Sequence, residues 1–188
     1  MHPRVAEVIK YLDDTRSVLR EAVELVPPES RDIQSSPDRW SVAQVLHHLG
    51  SIEARVGIGV TRWVAGARAG GLGPEVETSS VLRTVDLPAI GDRTTRHTAP
   101  EGFIPPTDVD AESAWASLER SRKTLRAGFI AGDGLALSEV IQPHPVLGPI
   151  NMYQWVLFVG GHEARHTAQV REIAAELNAA SEGRASAV

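Results

Sequence analysis

Hydrophobic residues recur every three to four positions along four stretches of the chain, and this period predicts four amphipathic helices. The first ends before Pro27-Pro28, because proline cannot continue a helix. Little of the remaining sequence alternates as a strand does. The predicted helices run from about Pro3 to Val26, Ser41 to Ala67, Asp110 to Ala131 and Asn151 to Ala180.

Three of the predicted helices begin with a capping signal. Ser41 is followed at the third position by Gln44, the spacing of a capping box. Asp110 and Asn151 are typical N-cap residues at the starts of the third and fourth helices. These side chains satisfy amide groups that the first turn of a helix leaves unpaired.

Four long helices with apolar stripes are typical of a four-helix bundle, so we predict an all-α fold. One domain covers residues 1–180, and residues 181–188 are expected to form a flexible tail. The connection from about Ala69 to Val109, called the crossover below, is far longer than a usual loop. Its length allows the second and third helices to lie parallel, and we expect it to form part of a substrate site.

The composition of the chain excludes several classes of protein. With 188 residues and a net charge of −5, it can bury one sizeable core and has no basic footprint for nucleic acid. It has no cysteine, which excludes disulfides, cysteine-rich zinc sites and catalysis by a protein thiolate. No apolar run has the length of a membrane span or of a signal peptide core, so a cytoplasmic protein is expected.

Three histidines interrupt the apolar stripes at positions where the core expects a hydrophobic residue. His48 follows Val45 by three positions, His162 follows Val159 by three, and His166 lies four after His162. A buried polar group without a partner costs about 1–3 kcal/mol. A shared metal ion would satisfy all three imidazoles, whose spacing places two of them side by side on one helix. Three imidazoles suit zinc best, with nickel, cobalt and iron also compatible, and leave the metal an open position.

Any one of these histidines could instead be an ordinary core residue with a hydrogen-bond partner. The presence of a third histidine on another helix favours the metal site. His47 is turned about 100° away from His48, and we interpret it as a supporting or surface residue. Gln169, within a turn of His166, either hydrogen-bonds a metal ligand or belongs to a polar rim.

Four further residues are candidates for chemistry. Residues 162–166 spell H-E-x-x-H, in which the glutamate is a general base in metalloproteases, so Glu163 is a candidate catalytic residue. The alternative is a supporting or solvated carboxylate. In the crossover, Arg93, Arg96 and His97 form a basic stretch that could bind an anionic substrate, or could simply be solvated.

Several short motifs occur in an order that resembles the DinB/YfiT-like superfamily of metalloenzymes. Together they span most of the chain. They are Trp40-Ser41-Val42, His47-His48-Leu49, His144-Pro145 with Leu147-Gly148, Trp155, and His162-x-x-x-His166-x-x-Gln169.

The resemblance implies an up-up-down-down bundle in which His48, His162 and His166 hold a divalent metal. It also implies homodimers, and a transferase or isomerase activity that uses a low-molecular-weight thiol such as mycothiol, bacillithiol or a glutathione-like compound. In that chemistry the metal binds the thiol as thiolate. This chain has no separate thiol-binding domain after the fourth helix, so its crossover would have to supply those contacts.

Three functions therefore compete for this site. The first is a thiol-dependent transferase acting on a small molecule, in which the metal lowers the pKa of the bound thiol. The second is a metal-dependent hydrolase using metal-bound hydroxide. The third is a non-catalytic metal-binding bundle, whose structural metal should be closed by a fourth protein ligand.

Overall fold

The computed structural model of the protein describes residues 1–94, 98–99 and 101–185, with the side chains of 181–185 left aside. It is mostly helical, as predicted, and adds one β-hairpin that the sequence pattern did not indicate. The helices are α1 (Pro3–Glu24), α2 (Val42–Ala69), α3 (Leu87–Gly91), α4 (Ala111–Ile130) and α5 (Met152–Ala185), and the strands are β1 (Ile141–His144) and β2 (Gly148–Asn151).

The predicted capping signals are confirmed. The Ser41 hydroxyl accepts from the amide of Gln44, while the Gln44 side chain accepts from the amide of Ser41. Asp110 accepts from the amide of Ser113 at the start of α4. At the other end of the chain, α5 continues to Ala185 rather than stopping at Ala180. The predicted flexible tail beyond Ala185 lies outside the described residues.

The start of α1 shares an apolar cluster with the end of α2, and the end of α1 shares another with the start of α2. These two helices are therefore antiparallel. By contrast, α2 and α4 run in the same direction: a Cβ added to Gly50 would meet Leu118, and one added to Gly57 would meet Leu125. This confirms that the crossover lets its two helices lie parallel.

The relative directions of the long helices correct the expected up-up-down-down order. Helix α5 runs with α1, since Arg4 lies 6.0 Å from the Tyr153 ring and Arg16 bonds Glu163 further along both helices. The observed order is therefore up, down, down, up. The physical reason is that the connection between α1 and α2 turns the chain straight back, whereas the crossover returns it along the length of α2.

A buried layer of charge separates the two apolar clusters. Arg16 donates to Glu53 at 2.9 Å and to Glu163 at 2.8 Å, and Arg122 donates to both carboxylates, with 2.9 Å to Glu163. All four side chains are buried and come from α1, α2, α4 and α5. We call these four residues the ion cluster. It links the four long helices at the level of residue 163, directly beside His162.

Two successive glycines of α5 let other elements approach closely. A Cβ on Gly160 would lie 2.4 Å from the Tyr11 ring of α1, and one on Gly161 would lie 2.9 Å from Ile90 of α3. The short helix of the crossover therefore docks on α5 one residue before His162. Within the described ranges, no helix is long and apolar enough to cross a membrane.

Candidate metal centre

Three imidazoles converge between α2 and α5. His48 comes from α2, and His162 and His166 come from successive turns of the antiparallel α5. One nitrogen from each ring lies within 4.8 Å of the others, and Nε2 of His162 is 3.1 Å from Nε2 of His166. His48 and His166 are buried and His162 is half-buried. The structure thus brings together the three histidines that the stripes predicted.

Two of the three rings are held through their other nitrogen. Nδ1 of His48 lies 2.8 Å from the carbonyl oxygen of Phe103, and Nδ1 of His166 lies 2.8 Å from Oε1 of Gln169. Because an oxygen of this kind only accepts, each Nδ1 carries the proton and donates it. Each Nε2 is then left with a lone pair directed at the shared space, which is the arrangement a metal ligand needs.

The three rings are neutral at physiological pH. Burial, and after it the nearby imidazoles, lowers the pKa of His162 well below its ordinary value. Burial is also the main cause that lowers the pKa of His166 to about 3, and it lowers the pKa of His48. An unprotonated imidazole is the form that binds a metal.

Aromatic rings form the walls around the histidines. The Trp40 ring centroid lies 5.0 Å from that of His48 and stacks at 6.3 Å on His166. Phe158 stacks at 5.7 Å on His162. Behind it, the ring of His144 meets Phe158 edge-on at 4.2 Å. Sequence reasoning had assigned Trp40 to the core, although its place just before the α2 cap was visible.

His144 belongs to the turn of the hairpin. Its Nδ1 accepts from the amides of Val146 and Leu147, at 3.2 and 3.1 Å. This holds the ring rigidly against Trp155, 4.6 Å away, and agrees with the turn role expected from the flanking prolines.

Glu163 does not belong to the group of imidazoles, and its predicted role as a catalytic base is contradicted by its partners. Its Oε2 accepts from Arg16 and Arg122 within the ion cluster, at 2.8–3.0 Å. Its Oε1 is buried and has no hydrogen-bond partner among the described residues. Residues one apart on a helix are turned about 100° from each other, so Glu163 faces the core when His162 faces the site.

The candidate residues of the crossover have different outcomes. Arg93 forms a two-point ion pair with Glu172, with both contacts at 2.8 Å, and its Nη1 lies 3.4 Å from Oε1 of Gln169. Its predicted role in substrate binding stays a prediction, as those of Arg96 and His97 do, which lie outside the described residues. The contact of Phe103 with His48 was missed, because a backbone carbonyl leaves no signal in a sequence.

The two residues expected to support the ligands also differ. Gln169 holds the His166 ring, as its position within a turn suggested. His47 is not one of the three converging histidines, and its Nδ1 is buried without a hydrogen-bond partner in the described ranges. Its supporting role stays a prediction.

Comparison with known proteins agrees with this arrangement. The family model of the DinB superfamily matches residues 11–170. A protein of Bacillus subtilis (strain 168) named "Uncharacterized protein YuaE" is 28% identical over 146 residues, which is 77% of this chain and 83% of that protein. No solved structure matches the chain. Since the family model covers most of the sequence and all three converging histidines, the chain belongs to the DinB superfamily.

Proposed function

We propose that this protein is a metal-dependent enzyme on a four-helix bundle, in which His48, His162 and His166 hold a divalent ion and a low-molecular-weight thiol supplies the nucleophile. The observation that carries the proposal is the convergence of three neutral imidazoles. No carboxylate or further histidine of the described residues joins this group. A site of this kind leaves a position for a substrate, whereas a structural zinc site is closed by four protein ligands.

The residues present fit such an ion by the chemistry of their donors. Imidazole nitrogens suit zinc first, and nickel, cobalt or iron as well. When bound, the ion would supply positive charge that lowers the pKa of a thiol beside it. The chain itself has no cysteine, so the thiol would come from a small molecule.

The protein's own residues have three tasks in this proposal. The three imidazoles bind the ion, while the Phe103 carbonyl and Gln169 keep the Nδ1 protons away from it. Trp40 and Phe158 stack on the imidazoles and keep bulk water from their faces.

A transferase fits the site better than a hydrolase does. Hydrolysis needs a group to take a proton from water, and the predicted base, Glu163, is engaged in the ion cluster. A thiol bound to the metal loses its proton to solvent at neutral pH and needs no such base. Homodimer formation and a cytoplasmic location stay predictions from the family and the sequence.

Metal content of purified variants tests the three ligands. His48→Ala, His162→Ala and His166→Ala should each reduce bound zinc from about one ion per chain to well under half, because each removes one of three strong bonds. His47→Ala is the matched control, since it changes the neighbouring imidazole, and should keep its zinc. Loss in the His47 variant with retention in the His48 variant would contradict the assignment.

A thiol screen tests the reaction class. Zinc-loaded protein is incubated with electrophilic substrates, with and without mycothiol, bacillithiol or glutathione. Turnover that requires a thiol supports the transferase, and hydrolysis without any thiol supports the second candidate. Full metal occupancy with neither activity, together with a fourth protein ligand, would favour a structural metal.

A further inference from the structure

The contacts between the crossover and the rings of His48 and His166 have a second consequence, which rests on the proposed metal site. The crossover touches one ligand directly, through the Phe103 carbonyl on Nδ1 of His48. It reaches the other through Arg93, which lies 3.4 Å from the same Gln169 oxygen that holds Nδ1 of His166. We infer that Arg93 is a positioning residue: acting through Gln169, it selects the form of His166 that can bind the metal.

The chemistry of the three groups determines the direction of this effect. A guanidinium group has only donors, so it attracts the oxygen end of the Gln169 amide and not its nitrogen end. That oxygen can only accept, so Nδ1 of His166 must carry the proton. A neutral imidazole with its proton on Nδ1 has its lone pair on Nε2, where His162 and His48 converge.

Without Arg93 the Gln169 side chain could turn over, because nothing else in the described contacts distinguishes its two ends. The amide nitrogen would then donate to Nδ1, and the proton of the ring would move to Nε2. An imidazole protonated at Nε2 cannot ligate there. Arg93 therefore keeps Nε2 of His166 available as a ligand without touching the ring itself.

Arg93 is itself held in place by α5. Its Nε and Nη2 donate to the two oxygens of Glu172, both at 2.8 Å. This two-point geometry fixes the plane of the guanidinium as well as its position. A lysine at this position would keep the charge but lose the fork, so it should orient Gln169 poorly.

The sign of the effect distinguishes positioning from simple electrostatics. Arg93 is a cation close to the site, and its removal alone should make the binding of another cation easier. Positioning predicts the opposite result, weaker metal binding.

The experiment compares two arginines that pair with the same helix. Arg39 bonds Glu172 and Glu176 at 3.4 and 2.6 Å but makes no contact with Gln169, so Arg39→Ala is the matched control. Zinc affinity is measured by chelator competition. Arg93→Ala should weaken it about tenfold, the size expected for residues that orient metal ligands. Arg93→Lys should fall close to Arg93→Ala, and Arg39→Ala should stay within about twofold, as surface ion pairs contribute little.

Two further measurements make the result specific. In a Gln169→Ala background, Arg93→Ala should have no additional effect on zinc affinity. In metal-free protein, ¹⁵N shifts of His166 should show the Nδ1-protonated ring, and in Arg93→Ala a mixture of the two forms. This NMR readout stands even if the wild type binds no zinc, a result that would contradict the proposed function alone. Tighter zinc binding in Arg93→Ala, an equal loss in Arg39→Ala, or an unchanged His166 tautomer would overturn the inference.

Discussion

At the scale of single residues, Glu163 shows how a familiar spelling acquires another role. Residues 162–166 read H-E-x-x-H, yet the glutamate bonds Arg16 and Arg122 and not the site. Isolated burial of either arginine or of the carboxylate would be very unfavourable, so each requires the others. The side chain next to a ligand thus anchors α5 to α1 and α4.

Glu163→Gln should therefore act on stability rather than on chemistry. It leaves two buried guanidinium groups short of a negative charge, and breaking a buried pair in this way costs about 3–5 kcal/mol. Urea denaturation of the metal-free protein measures the loss. The control is Glu119→Gln, since Glu119 also bonds Arg16, at 3.0 Å, but is 35% exposed and should cost under about 1 kcal/mol. Normal stability with abolished activity in Glu163→Gln would instead restore the catalytic assignment.

At the scale of elements, the close packing of α2 on α4 depends on glycine. A Cβ on Gly128 would lie 2.3 Å from the Thr61 hydroxyl and 3.2 Å from its backbone, so no side chain fits there without moving α2. Gly66, near the end of α2, has no neighbour within 4 Å of such a Cβ. The two glycines occupy similar places near helix ends but meet different surroundings.

Alanine at these two positions should therefore change stability in opposite directions. Gly66→Ala should stabilise the protein by about 0.5–1 kcal/mol, the ordinary gain in helix propensity. Gly128→Ala has the same gain but adds overpacking of about 1–3 kcal/mol, so it should destabilise. Thermal unfolding followed by circular dichroism measures both. Stabilisation by both variants would mean that α2 and α4 separate easily.

At the scale of the whole molecule, the histidine site couples folding to pH. The pKa of His166 is lowered to about 3 in the folded protein, chiefly by burial, against about 6.5 in the unfolded chain. Between these two values the unfolded state binds the extra proton. Stability is therefore fully present above about pH 6.5 and is lost as the pH falls toward 3.

The free energy of unfolding of the metal-free protein should fall by up to about 1.4 kcal/mol per pH unit for each such histidine. His166→Ala should flatten this dependence between about pH 6 and pH 4, because one of the depressed groups is gone. Urea titrations of both proteins at several pH values measure the difference in slope. Carboxylates contribute equally to both proteins and cancel, so identical slopes would show that the His166 ring is not buried as a neutral group.

The sequence by itself determined the helices, their caps and the three histidines on the apolar stripes. Each of these follows from local geometry, because a helix of fixed period places His162 and His166 on one face wherever it packs. The capping side chains likewise act on amides three residues away. Membership of the family was also within reach, since its motifs occur in order along the chain.

Only the tertiary structure decided the helix directions, the ion cluster and the partners of the imidazoles. Arg16 and Glu163 are 147 positions apart, and His48 and the Phe103 carbonyl are 55 apart. No local pattern encodes such contacts, because they depend on which helix lies beside which. For the same reason the sequence could number the ligand candidates, while the role of Glu163 and the contact of Arg93 with Gln169 emerged only when α1, α4 and the crossover packed against α5.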